Sequence, residues 1–98
     1  MIRHILLIKF KATAKLSDIE ILRKEFYSMV DKIEGVITVE WGLNNSSEGM
    51  AKEYSHAVVM SFEDEAARQR YLPHPDHSEL KKIFIPLLED IIVFDYNV

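Results

Sequence analysis

The sequence predicts an α+β fold in which a four-stranded antiparallel sheet carries its helices on one face. Three observations predict it. Apolar residues alternate with period two in four short segments, they recur at helical spacing in the segments between, and Gly, Pro or a polar run closes each segment. The resulting order is β-α-β-β-α-α-β, all of it within one domain spanning residues 1–98.

The first strand runs from Ile2 to Lys11 and sets His4, Leu6, Ile8 and Phe10 on one face, with Ile5 and Leu7 on the other. Ser17 and Glu20 have the spacing of a capping box, and Leu16 stands where it would staple to Ile21. The stripe that follows, Ile19, Leu22, Phe26, Met29, Val30 and Ile33, is helical, and Gly35 stops it. Val36 to Leu43 is a strand in which Ile37, Val39, Trp41 and Leu43 alternate with Thr38, Glu40 and Gly42. A polar loop from Asn44 to Gly49 leads to a third strand, about Glu53 to Phe62, with His56, Val58, Met60 and Phe62 on one face and Ala57 and Val59 on the other. Glu63 to Leu72 is helical in composition and ends at Pro73; Pro75 then suits the first turn of another helix carrying Leu80, Ile83, Phe84 and Leu87. Pro86 marks its exit. The last strand, Ile91 to Val98, sets Ile91 and Val93 against Ile92, Phe94 and Tyr96.

This order suits a ferredoxin-like sheet. Both faces of the first, third and last strands are apolar, whereas helices can cover only one. A sheet wetted on its second side should alternate apolar with polar residues, and this one does not. Ile5, Leu7, Val59, Ile92 and Phe94 therefore need another cover, most simply the same face of a second copy. The expectation is a homodimer forming a dimeric α+β barrel.

Composition excludes several classes of function. Hydrophobic residues make up 48% of the chain and charged ones 29%, a globular mix. With no cysteine there is neither a disulfide nor thiolate chemistry, which suits a reducing cytoplasm, and Met1 runs straight into strand-like sequence without the pattern of a signal peptide. No apolar run approaches the ~20 residues of a membrane span. The net charge of −4 argues against nucleic acid. Neither nucleic acid nor membrane is expected as a partner.

The chemistry-bearing stretch is Tyr71-Leu72-Pro73-His74-Pro75-Asp76-His77. Pro75 at a helix start leaves His77 about one turn in, where the positive end of the helix dipole disfavours imidazolium, while Asp76 acts in the opposite sense. A neutral imidazole there can accept a proton; the plainer alternative is that His74 and His77 cap the helix. His4 and His56 lie on strand faces assigned to the helix side, where each suits a hydrogen-bonded core position as well as a ligand site. No histidine pair has the i, i+4 spacing of a helical zinc site. No carboxylate pair stands in apolar surroundings, and no phosphate loop, nucleophile elbow or cofactor motif is present.

In order along the chain, His4 to Lys11, Trp41-Gly42, Tyr54-Ser55-His56, the Tyr71–His77 stretch and Val93-Phe94-Asp95-Tyr96 resemble the stress-responsive A/B-barrel family, or Dabb domains. The resemblance covers essentially the whole chain, and Tyr-x-x-His-Pro-x-His is its most specific part. It implies a dimeric barrel. In the polyketide-cyclase branch of that family it implies catalysis by Tyr71 and His77 on a linear poly-β-ketone, without a cofactor. His4, His56 and His74 match further histidines of the substrate site, His4 and His56 lining the cavity between sheet and helices with His56 as a positioning group, and Leu6, Ile8, Phe26, Val58, Leu80, Ile83, Ile91 and Val93 would form its apolar wall. Phe26 stands where the cyclases have a tyrosine and Leu88 where they have a tryptophan. In some plant members the family also holds magnesium on backbone carbonyls, which maps near Val30, Ile33 and Val36.

Three functions follow as expectations. The first is proton abstraction and aldol- or Claisen-type cyclisation, or isomerisation, of a small apolar keto or aromatic compound. The second is a non-catalytic, stress-associated binding or structural homodimer. The third is a cofactor-free monooxygenase of the dimeric-barrel type.

Overall fold

The computed structural model describes residues 1–98. Four strands, β1 (Ile2–Phe10), β2 (Val36–Leu43), β3 (His56–Phe62) and β4 (Leu88–Asn97), form one antiparallel sheet in the order β2-β3-β1-β4. Three helices, α1 (Leu16–Lys32), α2 (Glu65–Tyr71) and α3 (Pro75–Phe84), lie between the strands in sequence. This is the ferredoxin-like arrangement expected.

The core lies between helices and sheet. Leu6, Ile8, Val58, Met60 and Phe62 from the sheet meet Leu22, Phe26, Met29, Leu80 and Phe84 from α1 and α3. Alternation fixes the inward set on β1 and β3. On β2 the pattern reads differently from the alternation. Pairing with β3 shifts between Val36 and Thr38, so Ile37 is an extra residue in a bulge. Val36 and Val39 are therefore buried, and Ile37 is turned out to solvent.

The start of α1 also departs from the sequence reading. The helix begins at Leu16, and the Lys15 carbonyl accepts the N–H groups of Asp18 and Ile19, both at 3.0 Å. Ser17 thus falls inside the first turn and makes no cap; Leu16 and Ile21 are both exposed, so neither capping box nor staple forms. The other boundaries follow local chemistry. Asp64 caps α2 by accepting the Ala67 N–H at 2.9 Å. Pro75 opens α3, and Pro86 sits in the 3₁₀ turn Ile85–Leu87 that ends the helical stretch. Gly35 has φ +92°, and a Cβ there would stand 2.4 Å from the Ala67 Cβ, so glycine alone fits.

The face of the sheet away from the helices is uncovered. Phe94 is 61% exposed and Tyr96 47%, with Leu7 and Ile92 beside them. No helix is long and apolar enough to cross a membrane.

Candidate functional site

A cavity of about 240 Å³ opens between α3, the end of α2 and the β1–β4 half of the sheet. Its wall is almost wholly apolar. Leu6, Phe26, Leu80, Phe84 and Ile91 form most of it, and the ionisable lining groups are Tyr71, His4, His77 and Lys81.

Tyr71 is the last residue of α2 and is only 1% exposed. Its ring packs on Phe62 at 5.0 Å and on His77 at 4.2 Å between centroids. No buried polar side-chain atom in the molecule lacks a hydrogen-bond partner, and the Tyr71 hydroxyl has none within the protein. It is therefore left open to the cavity that Tyr71 lines. Burial pushes the phenol well above its usual range, so it remains a hydrogen-bond donor at any physiological pH.

His77 owes its position to the proline turn. The chain leaves α2 at Leu72, is broken at Pro73, and re-enters a helix at Pro75. This folds the His77 ring back so that Nδ1 donates to the Leu72 carbonyl at 2.9 Å. That bond consumes the Nδ1 proton in a neutral ring and leaves Nε2 with its lone pair. Burial is the largest influence on the imidazole and lowers its pKa; the Leu72 carbonyl opposes this, while Lys81, His4 and His74 add to it. The cause is thus chiefly desolvation rather than the dipole of α3.

His4 comes from the first half of β1, 8% exposed, with its ring 6.1 Å from that of Tyr71. The register places it opposite Asp95 on β4, and its Nδ1 donates to Asp95 Oδ1 at 2.7 Å. Arg68 holds the other carboxylate oxygen at 3.2 Å. A fixed carboxylate behind an imidazole sets which nitrogen faces forward, here Nε2. Asp95 is thus the orienting partner of a cavity histidine.

Of the residues singled out from sequence, Tyr71, His77, His4, Leu6, Phe26, Leu80, Ile91 and Val93 meet at this cavity. His56, His74, Ile8, Val58 and Ile83 do not line it. Antiparallel pairing sets His56 opposite Ile8, four residues along β1 from His4 and so ~13 Å away. There it packs between Phe10 (5.0 Å) and Trp41 (5.3 Å), and Ser55 Oγ lies 2.7 Å from its Nδ1. His74 caps α3, its Nδ1 accepting the Asp76 N–H at 3.1 Å. Ile8 and Val58 are sealed in the core. Leu72, Lys81, Phe84, Ile85 and Leu88 also line the cavity. Lys81, Phe84 and Ile85 could have been found: counted from His77 they fall at i+4, i+7 and i+8, one stripe along α3 and into the turn that follows it.

Residues 2–98 match the stress-responsive A/B barrel domain family, Dabb. The chain belongs to this family. The stress-response A/B barrel domain-containing protein HS1 of Arabidopsis thaliana is 34% identical over 96 residues, covering 98% of this chain and 88% of that protein. Olivetolic acid cyclase of Cannabis sativa is 26% identical over 96 residues, covering 98% and 95%. Among solved structures, a dimeric ferredoxin-like protein of unknown function from Thermobifida fusca superimposes with a TM-score of 0.82 at 25% identity, covering 99% of this chain and 90% of that one. Relatives of this Dabb protein thus include stress-response proteins, a cyclase and dimers.

The magnesium implied by some plant members would fall where α1 passes into β2. Ile33 caps α1, and its carbonyl accepts the Val36 N–H at 3.3 Å with one lone pair to spare. Backbone oxygens of Val30, Ile33 and Val36 suit a hard cation. None of the three lines the cavity, so a cation there would tie helix to strand and supply nothing to the reacting groups.

Proposed function

We propose that this protein is a cytoplasmic homodimer whose cavity performs cofactor-independent proton abstraction on a small apolar keto compound, leading to aldol- or Claisen-type ring closure or to isomerisation. The observation that carries the proposal is the pairing of two neighbours with opposite tendencies in one apolar cavity. His77 keeps a free Nε2 and a lowered pKa, while Tyr71 keeps a partnerless hydroxyl and a raised one. Titratable groups whose surroundings push them apart in this way divide into base and acid.

The roles follow. His77 Nε2 removes a proton from carbon between two carbonyls, and the developing enolate oxygen accepts a hydrogen bond from Tyr71. The carbanion then attacks a second carbonyl of the same chain; in an aldol closure the new alkoxide recovers the proton from the His77 imidazolium, and in a Claisen closure the alkoxide collapses to a ketone and expels the acyl leaving group, which takes that proton. A substrate seated on the apolar wall displaces water from the reacting carbons, which strengthens both contacts. His4, fixed by Asp95, presents its Nε2 toward the substrate as a positioning group.

The homodimer is supported by the exposed apolar face of the sheet and by the dimeric relative. An open cavity with these groups on its wall favours a ligand-binding molecule over a purely structural dimer, whose corresponding space would be filled by side chains.

The test is protein-catalysed hydrogen–deuterium exchange at the carbon between the carbonyls of a β-keto ester, followed by NMR in D₂O. Acceleration over buffer, lost in His77→Gln, is expected. A rate equal to buffer with the folded protein would sink the reading.

A further inference from the structure

Lys81 is the one cationic amine on the cavity wall, and the proton transfer and ring closure do not use it. It lies one turn after His77 on α3, so the two side chains share a face of the helix. It is exposed, and the residues beside it at the mouth, Leu72 and Ile85, are exposed apolar side chains. Its neighbour Lys82 is tied to Glu79 at 2.8 Å, whereas Lys81 enters no ion pair at all. Apart from the imidazoles of His4 and His77, every other lining residue is apolar or is Tyr71. A lysine in such a place lays its methylenes along the apolar rim and keeps its ammonium at the water boundary.

We infer that the substrate is an anionic keto compound, an apolar chain ending in a carboxylate, with Lys81 at the mouth binding that carboxylate while the keto group lies deeper, against Tyr71 and His77. The inference rests on the keto-compound reading and names the substrate class within it. It follows from a wall that offers one unpaired positive charge at its entrance and no acidic group. A neutral substrate would find an apolar cavity of the same size but would leave that charge unused. Lys81 is also felt at His77, where it helps keep the imidazole neutral. A carboxylate bound at Lys81 would partly offset that influence, so occupancy of the mouth would be reported at the base.

The experiment compares 4-oxononanoic acid with its methyl ester, each titrated into the ¹⁵N-labelled dimer at pH 7 and followed by NMR. The γ-keto acid does not decarboxylate and differs from its ester mainly in charge. Lys81→Met should lower the acid-to-ester affinity ratio by ~5-fold, as loss of one charge-assisted contact at a wet site implies. The ester's own affinity should stay unchanged. Lys81→Arg should keep the preference, and 0.5 M NaCl should weaken it in the wild type. An unchanged ratio in Lys81→Met, or binding of neither compound at the cavity residues, overturns the inference. Failure of the base reading is seen separately: His77→Gln would then keep its exchange rate, whatever the two ligands do. Both Lys81 variants alter an exposed side chain, and circular dichroism checks that they fold.

Discussion

Tyr71→Phe separates what this residue does for the fold from what it does for chemistry. The ring is 1% exposed and packs at 5.0 Å on Phe62 and 4.2 Å on His77. Phenylalanine keeps all of that. The only group removed is a hydroxyl with no protein partner, so no donor or acceptor elsewhere is orphaned by its loss. The stability change should therefore stay within ~0.5 kcal/mol, since the cost of deleting a polar group arises chiefly from the partner left behind. In a chain this short, that is a melting-point shift of at most about 4 °C. Tyr71→Ala would instead cost about 3–5 kcal/mol, because it empties the space beneath Phe62. Activity should respond in the opposite proportion. Removing one donor to a developing oxyanion costs about 10²–10³-fold in kcat, or about 2.7–4 kcal/mol. The assay is carbon-acid exchange or ring closure of a diketone, run beside thermal unfolding of the same samples. If Tyr71→Phe lost more than ~1.5 kcal/mol of stability, the hydroxyl would be structural. If it turned over within threefold of the wild type, the oxyanion role would be wrong.

Three other outcomes follow from the same structure. Burial lowers the His77 pKa below the ~6.5 of an unfolded histidine. Below that value the unfolded chain binds the proton more readily, so His77 contributes nothing to stability at pH 8 and destabilises increasingly as pH falls toward its folded pKa. Urea unfolding of the wild type and His77→Gln should diverge in favour of the variant from pH 7 to pH 5, and the acid limb of kcat/KM should lie below pH 6.5; parallel stability curves would remove the burial argument. Phe94→Glu puts a charge into the exposed apolar face and should give monomers by light scattering, with a melting point that no longer rises with protein concentration. Gly35→Ala forces a Cβ to within 2.4 Å of the Ala67 Cβ at φ +92° and should cost about 2–4 kcal/mol by urea midpoint; a neutral result would show that the α1–β2 turn yields freely.

The sheet was legible because period-two alternation survives wherever one face is buried, and on β1 and β3 the residues it sets inward do face the helices, with Ile2 joining them at the start of β1. It misassigned Ile37, since a bulge inserts one residue without altering composition. The cap at Ser17 failed for a related reason: the spacing suits a box, but the Lys15 carbonyl starts the helix two residues earlier. At the site, the Tyr71 to His77 stretch showed which side chains matter because proline fixes the turn that brings them together. The His4–Asp95 pair was hidden, since it depends on register between the first and last strands, ninety-one residues apart. His56 shows the converse. It shares a face with His4, yet antiparallel pairing sets the two at opposite ends of the sheet.

The exposed apolar face and the cavity are two sides of one strand. β4 is hydrogen-bonded to β1 alone, so it is an edge, and its residues point alternately to the two faces. Ile91, Val93 and Asp95 face the helices, where Ile91 and Val93 line the cavity and Asp95 holds His4. Ile92, Phe94 and Tyr96 face outward and are exposed in the single chain. An edge strand with one paired side and two half-covered faces is the part of a sheet most free to shift. Covering the outward residues with a second copy would remove that freedom and fix the register on which the His4–Asp95 contact depends. Covered in this way, the apolar second face would also hold one wall of the site in place. In this fold, assembly and chemistry would not be separate requirements on the sequence of β4.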